Sequence, residues 1–314
     1  MKLNDSVKKL ILTSVVCLII YSFPSFNEVN HFLYTYSVFS LSKPEKSSTE
    51  SEPKFVGEEH WSTEEQELCN NPDVDKTWTR ADALCFLKRR GLEFSKIEIV
   101  SWSNPVLVVY RDMFTQKQIR GYSRIFEKCE MEEEEVVDEH GNVHVSSVRV
   151  VNGSLTEVYM YPEVRSLVDT AARHIPSMNF KYSEQVLGLS YFPGGHYSAH
   201  YDFLEFQGEA PEHAHLEEGN RIATFIISVE KADVGGGTVF PYLKTTVRAN
   251  PGDAYIWFNM LENQEIDDMS YHGGCPVISG KKLIATTWLR SKGQHIFERV
   301  EGKRQSFHAK ELLR

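Results

Sequence analysis

Between residues 221 and 289 short runs of strand-forming residues alternate with turn residues, and this spacing limits the architecture more than any other feature of the chain. Residues 221–229 alternate and are rich in Ile and Phe, residues 238–242 form a short apolar run after Gly235, Gly236 and Gly237, and Asn250-Pro251-Gly252-Asp253 reads as a turn before residues 254–258. Together with 271–272 and 282–289, these segments predict an all-β barrel or two-sheet jelly roll. Helical periodicity precedes them at 80–90, 115–126 and 163–174, the last stopped by Pro176. The expected fold is mainly β, a double-stranded β-helix (jelly roll) with supporting α-helices on one side.

His200 and Asp202 lie two residues apart, so in extended backbone both side chains leave the same face. Two imidazoles and one carboxylate on one face of an octahedral ion leave the opposite positions open, the pattern of a non-haem Fe(II) oxygenase. The third ligand must then come from a distant strand. His272 opens the run His272-Gly273-Gly274-Cys275, whose glycines let backbone pass close to a crowded centre. Lys282 follows on an otherwise apolar strand, where a lone ammonium needs an anion, and the distal carboxylate of 2-oxoglutarate would supply one. His-x-Asp alone is a weak signal, and a zinc site also accepts two His and an Asp.

From about residue 69 to residue 289 the text around these positions resembles the catalytic region of the collagen prolyl 4-hydroxylase α-subunit family of Fe(II)/2-oxoglutarate dioxygenases. Four stretches carry the resemblance: Tyr191-Phe192-Pro193-Gly194-Gly195-His196-Tyr197-Ser198-Ala199-His200-Tyr201-Asp202, Asn220-Arg221-Ile222-Ala223-Thr224, Gly235-Gly236-Gly237-Thr238-Val239-Phe240-Pro241, and the stretch 272–288. It implies that His200, Asp202 and His272 are catalytic and bind Fe(II), that Lys282 anchors 2-oxoglutarate, and that Tyr191 and Thr224 place hydroxyls near the same carboxylate. Trp288 falls at an aromatic position near the family's site, but a core tryptophan is the simpler reading. Arg149 keeps a cation where relatives contact substrate, with a solvent-facing strand arginine as the plain alternative. The implied reaction uses O2 to hydroxylate peptidyl proline at C4 in procollagen or other proline-rich chains, with L-ascorbate rescuing oxidised iron. Retention of the acid Asp202 favours hydroxylation over halogenation. The alternatives are a jelly-roll module that binds a peptide or glycan without turnover and a related dioxygenase with a non-proline substrate.

The resemblance also implies a disulfide between Cys69 and Cys85, protein disulfide isomerase as a partner subunit, and the lumen of the endoplasmic reticulum as the compartment. Cys275 lacks the downstream partner seen in the family and is read as free or joined to Cys129. Leu187-Gly188 stands where a Gln-Val pair is usual. Asn152-Gly153-Ser154 is a glycosylation sequon, meaningful in such a lumen.

The 314 residues, 41% hydrophobic, have room for one domain of roughly 200–250 residues with a full core. That domain is expected at 61–292, with its iron and 2-oxoglutarate core at about 185–290 and a charged tail at 293–314. Lys2, Lys8 and Lys9 precede an apolar stretch, so residues 1–24 read as a signal peptide or an uncleaved signal anchor, followed by a linker at 25–60. The chain ends Glu311-Leu312-Leu313-Arg314 without a retention signal, so an anchor or a partner would hold it in the lumen. A net charge of −10 argues against nucleic acid or an anionic membrane surface as main partner. Much of the excess lies in Glu130-Met131-Glu132-Glu133-Glu134-Glu135 with Asp138 and Glu139, expected to form a solvated loop before a strand at 143–151.

Overall fold

The β-branched and aromatic runs pair into two facing sheets, as their spacing predicts. The computed structural model describes residues 55–70, 84–90, 93–137, 143–204 and 217–314. The targeting segment at 1–24 and most of the expected linker lie outside the described residues. In chain order the strands are β1 (Leu84–Arg90), β2 (Glu93–Ser101), β3 (Leu107–Arg111), β4 (Glu132–Glu133), β5 (Val136–Val137) and β6 (Val143–His144). Next come β7 (Arg149–Val150), β8 (Asn152–Thr156), β9 (Val186–Tyr191), β10 (His196–His200), β11 (Arg221–Glu230) and β12 (Val234–Gly235). The last six are β13 (Thr238–Phe240), β14 (Thr245–Val247), β15 (Ala254–Phe258), β16 (His272–Gly274), β17 (Val277–Ser279) and β18 (Lys282–Arg290).

The larger sheet has nine strands in the order β1-β2-β3-β15-β11-β18-β9-β8-β4, and the smaller has five, β14-β13-β16-β10-β7. Alternation along β11 and β18 separates two layers of core. Ala223, Phe225, Ile227, Leu283, Ala285 and Leu289 face one layer, which includes Ile119, Tyr122, Phe126 and Leu167 of the supporting helices. Ile226 and Ile284 face the other, with Leu189, Tyr191, Phe240 and Trp257 between the sheets. Polar side chains on that inner face, Thr224 and Lys282, are therefore held inside the jelly roll.

Two of the three expected helices form. Thr115 and Gln118 make a capping box at the start of the Gln116–Phe126 helix, each side chain bonding the other's backbone N–H. Pro162 opens the second, Pro162–His174. The third expectation is corrected: within 80–90 the described residues form strand β1, paired along its length with β2. Exposed Cys85, Leu87 and Arg89 alternate with half-buried Phe86 and Lys88, a period of two that strand pairing selects over the helical reading of this short apolar run.

Three further expectations change. Glu132 and Glu133 form β4 against Gly153 and Asn152, and Glu134 turns inward to Arg149, so the acidic run is an edge strand as well as a solvated face. The strand expected at 143–151 is divided between β6 and β7, two short strands separated by a turn. Residues 293–314, expected as a charged tail, pack Ile296, Phe307, Ala309 and Leu312 into the helix-side core, with Phe307 stacked on Phe258 at 4.6 Å. Apolar residues spaced among their charges give this segment an inward face.

The disulfide expectation is also corrected. Cys69 is bonded to Cys275, 206 residues away, and not to Cys85. The Thr63–Asn70 helix lies over the five-stranded sheet, where Trp61, Leu68 and Cys69 pack with Val239 and Cys275. Cys85 sits on edge strand β1 of the other sheet. Asn152, the sequon residue, is half-buried in β8 with Glu133 and Ser190 as register partners on its two sides.

Candidate metal and cosubstrate site

Pairing of β10 with β16 sets His200 directly opposite His272, and Asp202 follows two residues after His200. The close pairing favours glycine: a Cβ on Gly273 would lie a tight 3.0 Å from the backbone nitrogen of Ala199. One ligand atom from each of His200, Asp202 and His272 falls within 4.8 Å of the others. His200 Nε2 is 3.6 Å from Asp202 Oδ1, and His272 Nε2 is 3.4 Å from Asp202 Oδ2.

Each imidazole is oriented through its other nitrogen. His200 Nδ1 lies 2.7 Å from the Ser198 carbonyl oxygen and His272 Nδ1 lies 2.9 Å from that of Ser270. A carbonyl only accepts, so Nδ1 carries the proton and the Nε2 lone pair is left for a metal. Burial, then the charge of His272, lower the pKa of His200. For Asp202 burial acts to raise the pKa, but the charge of His272 and hydrogen bonds with both imidazoles outweigh it and hold the carboxyl well below the usual range. Two imidazole nitrogens beside one ionised carboxylate suit a ferrous ion.

Lys282 projects into the same cavity, which is also lined by Tyr191, Ile226, Ile284 and Thr286. It is 5% exposed, and burial lowers its pKa to about 8. Among the described residues no carboxylate pairs with it. Tyr191, its register partner across β9 and β18, lies under the ammonium, with Nζ 4.9 Å from the ring centroid. Burial raises the phenol's pKa, so its hydroxyl stays protonated and able to donate. A buried cation that no acid among the described residues balances suits the far carboxylate of a 2-oxo diacid.

Thr224 sits differently from its expected place. It lines the cavity, but its hydroxyl donates to Asp202 Oδ2 at 2.6 Å, and Asn259 Nδ2 donates to Thr224 Oγ1 at 2.8 Å. The deep carboxylate captures the hydroxyl that the resemblance assigned to 2-oxoglutarate. Asn259 was not singled out in the sequence, where its only sign is a lone amide closing the apolar run of β15.

The wall of the cavity also holds Trp288 and Arg149. Trp288 lines it half-buried, with the Arg221 guanidinium 3.9 Å from its ring centroid. Arg221 in turn makes two hydrogen bonds to Glu184, at 2.7 and 2.8 Å. Arg149 is not solvent-facing: it pairs with Glu134 at 2.7 Å and lies 4.8 Å from the Tyr197 ring. Tyr197 stacks on His200 with centroids 3.6 Å apart.

Residues 187–290 match the family model of the 2OG-Fe(II) oxygenase superfamily, which implies Fe(II), 2-oxoglutarate and O2. The chain is 28% identical over 241 residues to prolyl 4-hydroxylase subunit alpha-2 of Caenorhabditis elegans, covering 72% of this chain and 42% of that protein. It is 29% identical over 194 residues to prolyl 4-hydroxylase subunit alpha-1 of Gallus gallus, covering 62% of this chain and 37% of that protein. The chain thus spans about two-fifths of the length of these relatives. A solved viral collagen prolyl hydroxylase from Paramecium Bursaria Chlorella virus-1 is 20% identical, with 59% of this chain and 95% of that one covered and a TM-score of 0.39. The segment that carries His200, Asp202, His272 and Lys282 matches the 2OG-Fe(II) oxygenase superfamily model, in a chain similar to prolyl 4-hydroxylase α subunits.

Proposed function

We propose that this chain is a prolyl 4-hydroxylase that uses Fe(II), 2-oxoglutarate and O2 to hydroxylate peptidyl proline at C4 in collagen-like or other proline-rich chains. The observation that carries the reading is the meeting, in one buried cavity, of a His200-Asp202-His272 cluster with Lys282, a cation that no carboxylate among the described residues balances. Bound iron with 2-oxoglutarate supplies the oxidising chemistry, using O2 and releasing succinate and CO2.

The protein's part is to hold and orient. His200 and His272 present Nε2 because their Nδ1 protons are committed to backbone carbonyls, and Asp202 contributes the one negative charge. Three protein ligands leave positions for cosubstrate and O2. Lys282 neutralises the far carboxylate of 2-oxoglutarate, with the Tyr191 hydroxyl as a second donor on the same wall. Ile226 and Ile284 supply apolar surface that keeps water from the cosubstrate chain.

L-ascorbate returns oxidised iron to the ferrous state, residues 1–24 direct the chain to the endoplasmic reticulum lumen, and protein disulfide isomerase is the partner subunit. Asn152 would carry its glycan in that compartment. Support for the lumen comes from the Cys69–Cys275 bond, which persists in oxidising surroundings.

The test is succinate release by the purified chain with Fe(II), 2-oxoglutarate and a (Pro-Pro-Gly)-type peptide, repeated with His272→Ala. Peptide-dependent turnover that the substitution abolishes is the expected result. Peptide binding with no turnover would replace the proposal with a non-catalytic binding module, and turnover only with other substrates would replace proline as the target.

A further inference from the structure

We infer that Asn259 is a positioning residue for the metal ligands, acting on Asp202 through Thr224 and on His272 through the turn at Asp267. The inference rests on the reading of His200, Asp202 and His272 as the metal site, and adds what fixes two of those three in place.

The direction of the first arm is forced by chemistry. A carboxylate only accepts, so the hydrogen bond between Thr224 Oγ1 and Asp202 Oδ2, 2.6 Å long, uses the hydroxyl proton. The lone pairs of Oγ1 then need a donor, and the Asn259 amide nitrogen supplies it at 2.8 Å. All three side chains are buried, with Asn259 at 0% exposure. Asn259 Oδ1 makes no hydrogen bond among the described residues. A buried amide used on its donor side alone is costly to keep, which marks the donated bond as its purpose.

The second arm leaves from the main chain of the same residue. The Asn259 carbonyl accepts from the Asp267 backbone N–H at 3.0 Å. Asp267 then shapes the Asp268–Ser270 turn: its Oδ1 accepts from Met269 N at 3.1 Å, and its carbonyl accepts from Ser270 N at 2.8 Å. The Ser270 carbonyl accepts the His272 Nδ1 proton. Asn259 itself is pinned to β11 by its N–H bond to the Ile222 carbonyl, 2.8 Å long. One residue at the end of β15 therefore reaches two of the three ligands. Ligands with oriented outer partners hold metal more tightly, by roughly 10- to 100-fold per partner.

The experiment titrates the whole chain with Co(II), following the cobalt absorption spectrum and the heat of binding, beside the thermal midpoint of each variant. Expected are one Co(II) per wild-type chain and none for Asp202→Ala. Thr224→Val and Asn259→Ala should each weaken Co(II) roughly 10- to 100-fold and shift its spectrum. Thr224→Ser, which keeps the hydroxyl, should restore both. In the double variant Thr224→Val/Asn259→Ala the cobalt spectrum should match that of Thr224→Val alone, because the first arm is already cut. Wild-type affinity and spectrum in both single variants would overturn the inference while leaving the metal site intact. Unchanged cobalt binding by Asp202→Ala would instead remove the metal-site reading, and this inference with it. If Asn259→Ala does not fold, Asn259→Leu, which keeps the size and branching of the side chain and removes the amide donor, takes its place, and wild-type affinity and spectrum in it would overturn the inference.

Discussion

His200 and His272 are oriented by the same local device, each facing its Nδ1 toward the carbonyl of a serine two residues earlier, Ser198 and Ser270, at 2.7 and 2.9 Å. The two histidines lie on neighbouring strands of one sheet and turn both Nε2 atoms toward Asp202. Backbone, and not a further acid, sets the tautomer.

The pH dependence of metal binding follows. Burial and the neighbouring His272 lower the pKa of His200, so this ring is neutral through the physiological range and down past the ordinary imidazole value of 6.5. Co(II) affinity should stay flat around neutrality and fall on acidification as protons compete for imidazole and carboxylate. Calorimetric titration across this range checks it, and affinity that rises on acidification would contradict the assignment.

Lys282 gives a second dependence, of opposite sign in pH. Its pKa is about 8, so the cation that would hold 2-oxoglutarate is lost as pH rises through that value. Apparent 2-oxoglutarate affinity should fall by up to about tenfold per pH unit above it. Lys282→Met should abolish that dependence and weaken 2-oxoglutarate by about 2 kcal/mol or more, read as the cosubstrate KM or dissociation constant with metal binding unchanged.

The disulfide is open to direct test. A non-reducing peptide map should recover Cys69 linked to Cys275, and Cys85→Ser should leave that link in place. Cys69→Ser and Cys275→Ser should each lower stability by ~2–4 kcal/mol, with their thermal midpoints meeting that of the reduced wild-type protein. Recovery of a Cys69 to Cys85 peptide would refute the arrangement.

Gly188 is predicted to resist substitution. A Cβ there would overlap the Phe126 ring and the Tyr122 hydroxyl, both held in the helix-side core. Gly188→Val should therefore destabilise the chain by ~1–3 kcal/mol through overpacking, measured by chemical denaturation. Pairing it with Phe126→Leu should recover part of the loss.

The metal cluster was legible because its chemistry imposes spacing: two ligands two apart on a strand, a third beside glycines, and a lone lysine on an apolar run. The strands of 221–289 were legible because turn residues separate them. Residues 84–90 were not, since Leu84-Cys85-Phe86-Leu87 satisfies both periods and only pairing with β2 decides between them. The partner of Cys69 depended on where the Thr63–Asn70 helix docks, a long-range fact absent from local text. Trp288 and Arg149 are ordinary core and strand residues by sequence, and only closure of the two sheets brings them to one cavity. Thr224 was assigned by analogy to an anion that Asp202 displaces, while Asn259 carries no spacing signal at all.

The division between the sheets has a mechanical consequence. Both histidines stand on β10 and β16, whereas Tyr191 and Lys282 stand on β9 and β18 of the opposing sheet. The metal and the anchor for its cosubstrate thus ride on separate plates, and the gap between plates sets how far a chelating molecule must stretch. The side chains packed in that gap, Leu189, Phe240 and Trp257 among them, act as shims: a substitution that thickens or thins it would retune the bite at the metal without touching a ligand.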